Sequence, residues 1–75
     1  MSKKSELKRA ISESETEIET LEKKRARSQS ALLEAILANA KPNVTDVEYF
    51  KLFTSLIEVE RANLKKLNEE LSKLK

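Results

Sequence analysis

The 75-residue chain has no cysteine, no histidine and no glycine, and each absence removes a class of chemistry. Without Cys there can be no disulfide and no thiolate metal site. Without His the commonest general base and metal ligand are missing. Without Gly the phosphate-cradling loops of nucleotide-binding motifs cannot be built. A single proline argues against a succession of turns, and one Tyr with two Phe leaves little for base stacking. No apolar run approaches the roughly 20 residues that cross a bilayer. The opening Met-Ser-Lys-Lys-Ser-Glu leads into a charged stretch and not an apolar signal core, so a cytoplasmic protein without membrane contact is expected.

What remains is 37% charged residues, 4% aromatic and a formal net charge of +2, the composition of long helices. Carboxylate pairs occur at Glu13 and Glu17, Glu15 and Glu19, and Glu69 and Glu70. Each falls on a polar helical surface, where neither a pocket nor a nucleophile-base pair can be assembled. A non-enzymatic protein with no cofactor, metal or small-molecule ligand is the expectation.

The one interruption of helical patterning is Pro42 to Glu48. Pro42 lacks an amide hydrogen and disfavours helical dihedrals at Lys41, so an incoming helix must end just before it. Thr45 is a candidate N-cap, with Glu48 as its capping-box partner, and Val44 with Tyr49 as a hydrophobic staple. The reading is one domain, residues 1–75, with a helix over 2–40, a turn over 41–45 and a helix over 46–74.

Apolar and small residues recur at alternating spacings of four and three through Leu7, Ile11, Ser14, Ile18, Leu21, Arg25, Ser28, Leu32 and Ala35. The same spacing resumes at Phe50, Phe53, Ile57, Glu60, Leu64, Leu67, Leu71 and Leu74. These are coiled-coil seams, and a short turn between them makes an all-α, antiparallel two-helix hairpin. When the seams are superposed, Ile11 faces Leu74, Ile18 faces Leu67, Leu21 faces Leu64 and Ser28 faces Ile57. Arg25 then meets Glu60 as a charged pair that fixes register. Leu7 finds no partner, so the first turns of helix one overhang.

Beside the seam, the expected register sets Ile36 beside Tyr49, Leu33 beside Leu52, Gln29 beside Leu56 and Ala26 beside Val59. With Leu37, the apolar members form a face that a two-helix hairpin cannot cover, the mark of a protein interface. The expected partner is a second copy, completing a dimeric or tetrameric helical bundle, or an amphipathic helix of another protein. That points to an assembly factor, chaperone or adaptor. The alternative is a dimeric nucleic-acid-binding regulator using the basic surface near residues 23–27 and 61–66. Lys23, Lys24, Arg27, Arg61 and Lys65 would supply its contacts.

In outline the chain resembles the small helical-hairpin co-chaperones that hold needle subunits of bacterial type III secretion systems. The likeness lies in length, the turn marked by Pro42, and the aromatic-apolar opening of helix two at Tyr49 and Phe50. It is similar in the same way to small hairpin regulators of phages and plasmids.

Overall fold

The computed structural model describes residues 2–74; Met1 and Lys75, the outermost positions of the expected domain, lie outside them. Two helices, α1 (Lys3–Leu37) and α2 (Val44–Ser72), pack along their lengths as the expected all-α hairpin. The molecule is a rod of 57 × 16 × 15 Å.

Both helices start on side-chain caps. Ser2 Oγ accepts from the Ser5 amide at 3.1 Å, satisfying one of the free donors at the start of α1. At the start of α2 the cap is Asn43, whose Oδ1 accepts from the Thr45 amide at 2.8 Å. Thr45 is therefore inside the helix and not its cap. Asn outranks Thr as an N-cap, and starting at Val44 adds two helical residues. The staple expected between Val44 and Tyr49 is not formed in this arrangement, because both side chains stand exposed. Pro42 and Val47, which flank the actual cap, are half-buried instead.

The end of α1 uses the Schellman geometry without glycine. Asn39 takes a left-handed φ of 56°, its amide donates to the Ile36 carbonyl, and the Ala40 amide reaches back to Ala35 at 2.9 Å. Asn is the residue that tolerates this conformation best after Gly. The helix thus stops at Leu37, ahead of the break that Pro42 alone would impose.

The seam positions are as expected. Leu7, Ser14, Ile18, Leu21, Ser28 and Ile57 are buried, and the other seam residues are half-buried. Ile57 is the most enclosed, at 1% exposure. The register is not as expected. Ser14 Oγ donates to Glu60 Oε1 at 2.7 Å, and Ser28 lines a groove with Tyr49 and Phe53 instead of facing Ile57. Positions of α1 therefore meet α2 residues nearer its start, by about one heptad on average. The helix ends account for the direction of this shift. With α1 ending three residues earlier and α2 beginning two earlier than expected, the level at which the helices meet moves toward the N-terminus of each. Leu7 consequently lies against α2 and is buried, not overhanging.

The same shift separates Arg25 from Glu60. Glu60 accepts from Ser14 and, at 3.2 Å, from Asn63 Nδ2. Among the described residues the ion pairs are Glu19 with Lys23 and Glu22 with Arg61, so Arg25 and Glu60 do not form the expected register pair. The polar layer of the seam is a Ser-Glu-Asn hydrogen-bonded set, and Thr54 Oγ1 is buried nearby in sequence without a partner.

Candidate interaction surfaces

Two contacts tell which flanks of the helices lie together. Arg61 Nη2 meets Glu22 Oε2 at 3.1 Å on one side of the seam. On the other side, Lys24, Arg27 and Ser28 share a shallow groove of about 230 Å³ with Tyr49 and Phe53. At about 100° per residue, Glu22 and Lys24 point to opposite flanks of α1, and Arg61 is turned about 140° from Leu56 on α2.

Extending these flanks along each helix divides the exposed apolar residues. Leu33 and Ile36 continue the Glu22 side of α1, whereas Leu52, Leu56 and Val59 continue the Tyr49 side of α2. The seven residues expected on one face are all exposed, yet six of them divide between two opposite flanks, and Leu37 lies on the outer face opposite the seam. The reason is geometric: when two helices run antiparallel, equivalent heptad flanks come together. The expected pairs, such as Ile36 with Tyr49, joined flanks that are not equivalent.

The first apolar flank is at the tip of the hairpin and comprises Leu33 and Ile36, with Val44 on the same side of α2. Leu37 is 86% exposed beside it, in the last turn of α1. The second is a ridge along α2: Tyr49, Leu52, Leu56 and Val59, exposed by 49%, 49%, 41% and 67%. The Tyr49 ring stacks on Phe53, with centroids 5.8 Å apart and planes within 12°. That contact orders the largest side chain of the ridge against the seam. Lys24 and Arg27 form a polar margin along it.

The basic residues are divided in the same way. Lys24 and Arg27 are on the Tyr49 flank, while Arg61 and Lys65 are on the opposite one. There they help line an open groove of about 540 Å³ with Leu64, Asn68, Glu69 and Ser72. Arg61 is paired with Glu22, and Lys23 with Glu19. The five candidate nucleic-acid contacts are thus not gathered into one surface, and two already hold carboxylates.

No helix among the described residues is long and apolar enough to cross a membrane, and no group of three or more acidic side chains among them could hold a metal ion. No protein-family model, curated protein or solved structure matches the chain.

Proposed function

We propose that this chain is a non-enzymatic protein-interaction module, an assembly factor, chaperone or adaptor working in the cytoplasm. It acts by burying an apolar flank against a partner helix or a second copy. The observation that carries the reading is the α2 ridge. Four large apolar residues at coiled-coil spacing stand 41–67% exposed on a rod whose own core is one residue layer wide. Their exposed fractions amount to roughly 400 Å², comparable to the largest patch on an ordinary monomer, usually a functional one. Here it sits on a molecule with only 5975 Å² of total surface. The lack of His, Cys and Gly supports a role without catalysis.

The division of basic residues between two flanks favours protein over nucleic acid as the partner. The test compares Leu52→Glu with Leu56→Glu against Lys24→Glu with Arg61→Glu, scoring self-association, retention of a helical protein partner and binding to a 30-base-pair duplex. Protein association that is lost in the first pair, kept in the second and unaffected by 0.5 M NaCl supports the reading. A protein that stays alone but binds duplex, with affinity falling steeply with salt, would replace it with the nucleic-acid regulator.

A further inference from the structure

The α2 ridge is built to match itself. Its residues are spaced three, four and three apart, so a two-fold axis midway between Leu52 and Leu56 sets an antiparallel copy of α2 directly against the first. Tyr49 of one protomer then meets Val59 of its partner, and Leu52 meets Leu56. The bulkiest side chain is placed against the smallest, and the two mid-sized ones fall at the centre. A parallel pairing would instead oppose Tyr49 to Tyr49 and set the two helix dipoles side by side in the same direction, which is unfavourable.

We infer that the occupant of this ridge is a second copy of the chain, docked antiparallel through α2 about that axis. The inference rests on the protein-interaction reading and names its partner. Area supports the choice. Each copy contributes roughly 400 Å² of apolar-residue surface, and with the margins of Lys24, Arg27, Ser55 and Asn63 the total approaches the ~1,200 Å² at the lower edge of specific interfaces. Area does not by itself set affinity, so the dimer is sought over a wide range of concentration. The core points the same way, since a chain of this length with a single thin seam is in the size range where oligomerisation commonly completes the fold. The other apolar flank does not offer this match, because Leu33, Ile36 and Val44 come from two helices at the hairpin tip and form no continuous ridge.

The chain has no cysteine, so single spin labels can be placed without background. Ser55→Cys sits beside the proposed axis, and Ser72→Cys is at the far end of α2; both positions are exposed. At 1.5 Å rise per residue, an antiparallel dimer places the labels at position 72 about 50 Å apart and those at position 55 within about 25 Å. Sedimentation between 1 and 300 µM should give a salt-tolerant dimer, with association weakened at least 100-fold by Leu52→Glu with Leu56→Glu. Circular dichroism of that variant checks that the hairpin is retained. If it unfolds, the label distances in the otherwise unchanged chain still decide the matter. Short distances at both positions, or a dimer untouched in a folded Leu52→Glu, Leu56→Glu variant, would overturn the α2 two-fold. A monomer at 300 µM that still captures a foreign helical protein through Leu52 and Leu56 would overturn self-association while sparing the broader proposal. A monomer that captures nothing would sink both.

Discussion

Replacing Ser14 by Ala should destabilise the hairpin more than its small size suggests. The Ser14 side chain is buried and its hydroxyl donates at 2.7 Å to a half-buried carboxylate, Glu60. Hydrogen bonds to charged groups contribute about 1.5–3 kcal/mol, and leaving a buried acceptor short of a donor costs a similar amount. Glu60 keeps its bond from Asn63 and part of its hydration, which brings the expected loss to or just below the bottom of that range, about 1–1.5 kcal/mol. For a domain of this size that is a drop in Tm of about 4–12 °C. Glu60→Leu introduced together with Ser14→Ala should more than restore stability, because it turns the polar layer into continuous apolar packing. Thermal and urea unfolding followed at 222 nm, at one protein concentration, gives all four corners of the double-mutant cycle. A Ser14→Ala variant within about 0.3 kcal/mol of the parent, or a cycle with no coupling, would refute the assignment of this pair and the register built on it.

The other expectations concern caps, register and an unmet hydroxyl. Asn43→Ala should cost about 1 kcal/mol in urea unfolding and Thr45→Ala clearly less, because only Asn43 caps α2. Leu7→Ala should cost about 2 kcal/mol, moderated by its position near the helix start; a loss below about 0.5 would mean that the first turns of α1 overhang after all. Thr54→Val should raise stability by up to about 1 kcal/mol in the same assay, since the hydroxyl it removes is buried without a partner.

Much of this molecule was legible in its sequence; the register of the two helices and the grouping of the exposed apolar residues were not. The alternating spacing from Leu7 to Ala35 and from Phe50 to Leu74 identified the buried stripe of each helix, since periodicity depends only on local geometry. Register depends on where each helix ends, and there two signals competed. Pro42 marked the obvious break, but Asn39 in a left-handed conformation ends α1 earlier, and Asn43 outcompetes Thr45 for the cap. Those few residues, read wrongly, displaced Glu60 from Ser14 to Arg25. The apolar surface was recognisable residue by residue as well. Its division into two flanks follows from the antiparallel arrangement that the sequence already implies, but pairs such as Ile36 with Tyr49 joined unlike flanks; the Glu22–Arg61 contact is the plainest sign of which flanks meet. Asn39 carried the missing information: in a chain without glycine, an Asn shortly before Pro is the natural left-handed terminator.

Tyr49 is the sole tyrosine in a chain without tryptophan, so its fluorescence reports on the α2 ridge alone. Acrylamide quenching of Tyr49, measured from 1 to 300 µM protein and paired with the solution mass, tests whether association buries this flank. The quenching constant should fall several-fold as the mass rises, in low and high salt alike. Association that leaves Tyr49 as open to acrylamide as in the dilute protein would contradict it.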